Sequence, residues 1–416
     1  MKILILGNDA RSHCIAWKLY QSEFINVIYA YPGNPGIFKL CQKTSIKSDN
    51  FEEICLFCQK KGIELVIPGP EKYLVDGIYD FLKKRNIKVF GPSLQAAKLE
   101  GSKDFAKQFM QKYNIPNAEF KKFDNIEKLY KYINNLKKFP IVIKADGLAS
   151  GKGVKVCQNK EIAFEHIKNM TDIKDINGKT EVFIIEEFLS GKEASLLCFT
   201  DGKTITPMIY SRDHKKALDN DKGDNTGGMG AFSNPYISEK AKKYIEQNII
   251  KNTIKGIKNE NFEYKGIIFI GLMISNDKAH VIEYNVRFGD PETQSVLPLL
   301  KSDLGQIIRN IFKNELSNTN IEWENKQSVC VVCTSGGYPG KYEKNIKLNI
   351  GKNINSLVFY SQIKEKNNEL FTNGGRVISI VAKGNTLEQA KNNVYKDIQK
   401  IKFKQMHYRK DIAEQA

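Results

Sequence analysis

The sequence is poor in everything that would tie it to a membrane, a nucleic acid or a structural metal. No apolar run among its 416 residues reaches the roughly 18 needed to cross a bilayer. The opening "MKILILGND" turns polar too early for the apolar stretch of a secretory signal, so a cytoplasmic protein with no membrane partner is expected. Arginine is scarce. The net charge of +17 comes mostly from lysine strewn through stretches such as "LKKFP" and "YEKNIK". Nucleic-acid surfaces cluster arginines with aromatics, so no nucleic-acid partner is expected either. The eight cysteines contain two CxxC pairs, Cys55/Cys58 and Cys330/Cys333, without a metal context. The first pair lies at helical spacing among apolar residues. The second lies in an apolar strand, where side chains three apart point to opposite faces. Both nucleotide fingerprints are missing as well. "GNDAR" lacks the glycines of GxGxxG, which argues against a dinucleotide. In "IKADGLASGKGVKV", Gly147, Gly151 and Lys152 are followed by Gly153 rather than Ser or Thr.

What is present is enough apolar content, 41%, to build two or three cores over this length. Residues 1–101 alternate short apolar strands ("KILILG", "NVIYAYPG", "IELVIPGPE", "IKVFGP") with helical segments ("RSHCIAWKLYQS", "NFEEICLFCQKKG"). That alternation predicts a Rossmann-like parallel sheet covered by helices. Ligands gather at the carboxyl ends of such strands, so "GNDAR", "YPGN" and "PGPE" are expected to line one rim. Residues 102–320 change to longer, antiparallel-looking strands and glycine-rich loops, with "SEKAKKYIEQNIIKNTIKGI" as a helix among them. Residues 326–416 read as a small α+β domain, entered through a linker-like "NELSNTNIEWENKQ". The fold class expected is multidomain α/β and α+β.

Chemistry is densest in "VIEYNVRFGDPE", residues 281–292. On a strand, Glu283, Asn285 and Arg287 share one face, and Ile282, Tyr284 and Val286 take the other. A carboxylate, an amide oxygen and a guanidinium side by side suit a divalent cation shared with phosphate. "FGDPET" adds Asp290 and Glu292 at the strand end. The glycine-rich stretch 147–153 fits either a phosphate-facing loop or a β-hairpin turn. In "EVFIIEEFLSGKEAS" a strand, the acidic pair Glu186 and Glu187, a short turn and Glu193 suggest a hinge whose backbone meets an adenine edge, with Glu193 facing ribose hydroxyls.

Taken in order, Lys103 in "EGSKDFAK", Lys144 ending "PIVIK", the glycine loop, "IIEEFLSGKE" and "EYNVR" resemble the ATP-grasp ligases. The stretches "GNDAR", "PGPE", "NTGGMGA", "RFGDPETQ", "SGGYPG", "TNGGRV" and "YRKDI" narrow the resemblance to the phosphoribosylamine–glycine ligase family. It implies a central ATP-grasp fold with a lid at about 120–192. The implied reaction consumes ATP, glycine and 5-phosphoribosylamine and yields ADP, phosphate and glycinamide ribonucleotide through glycyl phosphate. On that resemblance Glu283 and Asn285 hold Mg²⁺ or Mn²⁺, and Arg287 and Lys144 are catalytic. Lys103, Lys144, Gly151, Gly153, Glu186, Glu187, Leu189 and Glu193 contact ATP. The substrates meet Gly7, Asn8, Asp9, Gly33, Asn34, Glu71, Asp213, His214, Lys215, Gly228, Asp290, Glu292 and Thr293. His214 either serves the acceptor or structures its loop. Asp9, Ala10 and Ser12 depart from the family's "GNGGREH". A transient contact with the enzyme that makes phosphoribosylamine is a further implied partner. Another ATP-grasp ligase, a biotin carboxylase-like enzyme, or a non-catalytic basic nucleotide-binding protein are the alternatives.

Overall fold

Alternate residues of the first strand, Lys2–Gly7, feed two different cores. Leu4 and Leu6 pack with Ile54 and Phe57 of the helix Phe51–Lys61, whereas Ile3 and Ile5 pack with Cys14, Ile15 and Leu19 of the helix Ala10–Tyr20. A strand buried on both faces needs a near-continuous apolar run, which "ILIL" supplies. The computed structural model describes residues 1–148, 153–172 and 182–414. In it this strand is the centre of a five-stranded parallel sheet. The order is Gln42–Lys43, Val27–Pro32, Lys2–Gly7, Leu65–Pro68, Lys88–Val89.

A second, antiparallel sheet holds Phe120–Phe123, Phe183–Glu187, Ile141–Ala145 and Val154–Cys157 in that order. Its helices Ile126–Asn135 and Lys160–Asp172 bury Leu129, Ile133, Ala163 and Ile167 against Ile143, Cys157, Phe183 and Ile185. These side chains form a core of their own. The strands on either side of the glycine-rich stretch pair antiparallel, with Lys144 opposite Val154 and the Ala145 N–H bonded to the Gly153 carbonyl at 2.8 Å.

The third sheet crosses the expected boundary between the central and C-terminal regions. Its path runs Lys278–Asn285, Tyr264–Ser275, Lys192–Thr200, Ser211–Asp213, Gly230–Ser233, Gln327–Thr334, Arg376–Gly384, Leu357–Tyr360. The strand pairing joins Gly230–Ser233 directly to Gln327–Thr334. Cys330 and Cys333 therefore face separate cores. The linker-like segment is packed along the body: the Glu324 N–H bonds the Leu299 carbonyl at 2.7 Å, and Trp323 bridges Leu300. The expected helix forms as Glu239–Tyr244, a wide-turned Ile245–Ile250 and Lys251–Asn259, capped by Ser238, whose hydroxyl accepts the Ala241 N–H at 3.1 Å.

Candidate active site

The small antiparallel sheet stands over the edge of the large one, and between them lies a cavity of about 1380 Å³. Residues 188–191 connect the two sheets. Gly191 makes that connection possible because a Cβ there would sit 2.4 Å from the Ile274 carbonyl oxygen, and its φ of +154° lies at the edge of the left-handed region. Glu187 and Leu189 line the cavity at this hinge. The Glu187 carboxylate accepts the Glu119 N–H at 2.9 Å.

One wall is lysine. The helix Lys103–Lys112 is capped by Ser102 and by Asp146, whose carboxylate accepts the Lys103 N–H at 2.6 Å and the Ser102 hydroxyl at 3.1 Å. Lys103 Nζ donates to the Gly147 carbonyl at 2.7 Å, and burial pulls its ammonium below the usual lysine range, aided by neighbouring Lys144. Lys144 Nζ lies 2.9 Å from Glu186 Oε1 and donates to the Ile282 carbonyl at 3.0 Å. Lys107, absent from the sequence-derived site, lies 3.2 Å from the same Glu186 oxygen; burial pushes it down to about 8. The Glu186 carboxylate thus lies between two lysines in the cavity lining. Gly147 and Gly153 reach the cavity. Gly151 and Lys152 lie outside the described residues.

The opposite wall is acidic. Val281, Tyr284 and Val286 are buried in a core, Tyr284 with its hydroxyl 2.7 Å from that of Thr253, while Glu283, Asn285 and Arg287 line the cavity. Ile282 corrects the simple alternation. A bulge opposite Gly271 and Leu272 leaves it unpaired, and instead of sharing the core face with Tyr284 it lines the cavity, its carbonyl turned to Lys144. Lys215 Nζ sits 3.1 Å from Glu193 and 3.9 Å from Glu283. Burial pulls Lys215 down, but Glu193, Asp213 and Glu283 outweigh it and hold the ammonium well above its usual value. Burial pushes Asp213 up to about 8, against Lys215 and with Glu292 adding to the rise. Glu292, buried beside Ser195, is likewise raised, chiefly by burial. Burial also keeps His214 neutral, down to about 4, with Nδ1 lacking a hydrogen-bond partner.

This donor set suits a cation only in a particular way. Glu283 and Asn285 contribute one carboxylate and one amide oxygen, hard donors of the kind Mg²⁺ takes while keeping waters and substrate phosphates in the rest of its shell. Among the described residues no cluster of three or more His, Cys, Asp or Glu could hold an ion unaided. The site fits a cation shared with a phosphate, and it does not fit a closed protein cage. Arg287 donates to Asn285 Oδ1 at 3.1 Å and lies 2.7 Å from Glu100 and 3.2 Å from Glu71. Burial pushes the Glu100 carboxyl up to about 7 against the pull of Arg287.

The parallel-sheet rim uses its polar residues differently. Asp9 caps the helix Ala10–Tyr20, accepting the Ser12 N–H at 2.7 Å, and pairs with Arg11 at 2.6 Å. Its carboxylate is engaged by its own helix. The Asn34 amide donates to the Asn8 and Tyr360 carbonyls and accepts the Gly36 and Ile37 N–H groups, all within 2.9 Å. It is a buried pin. Gly7, Asn8 and Gly33 share this rim, outside the cavity lining. Asp290 is ion-paired with Arg376 at 2.9 Å, and Arg376 also donates to the Gly227 carbonyl at 2.5 Å. Gly228, at φ +110°, passes so close beneath Pro291 that a Cβ would lie 2.3 Å from its Cδ. Thr293 is fully buried, its carbonyl facing the Cys14 thiol. Asp290, Gly228 and Thr293 thus pack against one another's neighbours outside the cavity lining.

Family models of the phosphoribosylglycinamide synthetase N domain, ATP-grasp (A) domain and C domain match residues 1–100, 101–293 and 328–415. The chain is 43% identical to a phosphoribosylamine–glycine ligase of Fusobacterium nucleatum, over 99% of this chain and 98% of that one. It is 44% identical to one of Clostridium acetobutylicum over 99% of each. A solved phosphoribosylamine–glycine ligase from Thermotoga maritima superposes with a TM-score of 0.84 at 32% identity, covering 99% of this chain and all of that one. A biotin carboxylase domain from Hydrogenobacter thermophilus, at 13% identity and TM-score 0.73, shares the fold alone. A small antiparallel sheet over a cavity with lysine and carboxylate walls, together with the matching central model, marks an ATP-grasp protein. Within that class, the chain belongs to the phosphoribosylglycinamide synthetase family.

Proposed function

We propose that this protein ligates glycine to 5-phosphoribosylamine at the expense of ATP, releasing ADP, phosphate and glycinamide ribonucleotide, as a step of purine biosynthesis. The observation that carries the reading is a cavity lined on one side by Lys103 and Lys144 and on the other by Glu283, Asn285 and Arg287. A carboxylate does not acylate an amine at neutral pH without a leaving group, so glycine is first phosphorylated to glycyl phosphate, which the amine then attacks. Lys103 and Lys144 orient the triphosphate, and Arg287 opposes charge building on the transferred phosphoryl group. Glu187 and Leu189 at the hinge take the adenine, and Glu193 the ribose. Glu283 and Asn285 would hold Mg²⁺ or Mn²⁺, which would neutralise charge on the phosphates. Asp213, Glu292 and Lys215, with His214 neutral beside them, meet the small acceptors, and Glu71 reaches the cavity from the parallel-sheet rim. Closing the lid over them would keep water from the acyl phosphate.

The labile amine invites direct transfer from the enzyme that makes it, and a cytoplasmic setting fits such an exchange. Several relatives carry names of bifunctional purine biosynthetic proteins, for example in Schizosaccharomyces pombe, where this chain spans 53% of the relative. The reaction is tested by ADP release from ATP and Mg²⁺ with glycine, with and without freshly made phosphoribosylamine. Release that requires both acceptors is expected; release indifferent to either rejects the substrate assignment.

A further inference from the structure

We infer that Glu100 is a positioning residue for phosphoryl transfer, holding Arg287 in place from the last turn of the helix Leu94–Gly101. The inference rests on the reading above, in which Arg287 faces the transferred group. Glu100 spends both carboxylate oxygens on two consecutive residues of the cation strand's end. Oε1 lies 2.7 Å from Arg287 Nη2, and Oε2 accepts the Val286 N–H at 2.7 Å. One side chain thereby fixes the backbone at 286 and the guanidinium at 287, and with them the register of Asn285.

The other groups at the guanidinium do less. Asn285 Oδ1 and the Phe288 carbonyl belong to Arg287's own segment, at 3.1 and 3.3 Å, and move with it. Glu71 approaches Nε at 3.2 Å with a side chain 27% exposed, against 5% for Glu100. A carboxylate buried this deeply is costly unless it is paired and hydrogen-bonded, and Arg287 with Val286 meets that demand. The consequence reaches further along the chain. Residues 102–104 bind Asp146, and Lys103 binds the Gly147 carbonyl. The five residues from Glu100 to Asp104 thus grip the cation strand with one end and the root of the lid with the other. Misplacement of a charged group by about 1 Å is enough to cost about a hundredfold in rate.

The test compares E100Q with the wild type. Glutamine keeps the shape and an acceptor for Val286 but removes the anion facing Arg287. We expect kcat, measured below the unfolding transition, to fall about 10- to 100-fold, with KM for ATP within about threefold and the melting temperature lowered because Arg287 loses a buried partner. Because Glu100 acts through Arg287, E100Q added to R287A should cost no further activity. Should E100Q fail to fold, E100D, which keeps the charge but draws it back by one methylene, is expected to lower kcat in the same way. Unimpaired kcat, or losses that multiply in the double variant, overturns the inference while an active wild type leaves the proposed reaction standing. A wild type whose ADP release ignores both acceptors overturns the reaction and the inference together.

Discussion

Two strand ends in this protein carry equally polar motifs and use them in opposite ways. At the rim of the parallel sheet, Asp9 is consumed by Ser12 and Arg11, and Asn34 by four backbone groups. At the end of Lys278–Asn285, Glu283 is 46% exposed within the cavity and has Lys215 no closer than 3.9 Å. Polar groups whose hydrogen bonds are met inside the protein hold parts together, while those left with spare capacity are free to meet a ligand. The lesson is that partner saturation, more than residue type, separates scaffold from site.

Substitutions at the two ends should break in different ways if that contrast is right. The largest effect is expected for Glu283→Ala, with turnover down about 10²- to 10³-fold, the loss typical of removing one group that stabilises developing charge. Its melting temperature should stay near that of the parent because the side chain is half in solvent. Near-normal steady-state turnover would remove Glu283 from the cation site. Next, Asn34→Ala should lower stability by about 2–3 kcal/mol, since buried N–H and carbonyl groups lose their partner, while KM for phosphoribosylamine stays put below the transition. A large KM increase with unchanged thermal unfolding would move Asn34 from the scaffold into the site.

A smaller effect should come from His13 at the same rim. Its Nδ1 accepts the Tyr360 N–H at 2.8 Å, and burial, with Lys39 adding to it, lowers its pKa from 6.5 to about 3. The folded imidazole is neutral, whereas the unfolded chain takes up a proton below its ordinary value. The contribution is therefore fully present above about pH 6.5 and is lost as pH falls toward about 3. Calorimetry should show about 1–2 kcal/mol less stability at pH 5 than at pH 7, and His13→Gln should flatten that slope. A slope unchanged in the variant would assign the acid sensitivity to other groups.

Much of the fold was legible because its signals are local. The run "ILIL" announces a strand buried on both faces, and the alternation of Glu283, Asn285 and Arg287 announces a shared face. What escaped depends on partners far apart in the chain. Lys107 follows Lys103 by one helical turn, so a helical projection could have placed both on one face. Its burial, however, is decided by Glu186 on another sheet. Arg376 reaches Asp290 across 86 residues, and nothing in "TNGGRV" names that partner. The bulge that turns Ile282 to the cavity arises from the pairing with Gly271 and Leu272, which periodicity within one strand does not contain. The continuous large sheet is likewise a matter of which edges meet, beyond what strand propensity specifies.

The separate core under the small antiparallel sheet bears on the energetics of access. Leu129, Ile133, Ile143, Ile167 and Phe183 are buried against one another within that unit. Tilting it as one piece leaves their packing undisturbed and exposes none of this oily interior to water. The polar contacts that tie it to the rest include Lys103 to Gly147, Asp146 to the helix start, Lys107 to Glu186, Lys122 to Asp104 and Lys144 to the Ile282 carbonyl. Because the apolar burial of this unit is internal to it, the cost of displacing it as one piece falls on those polar contacts rather than on exposing a greasy seam.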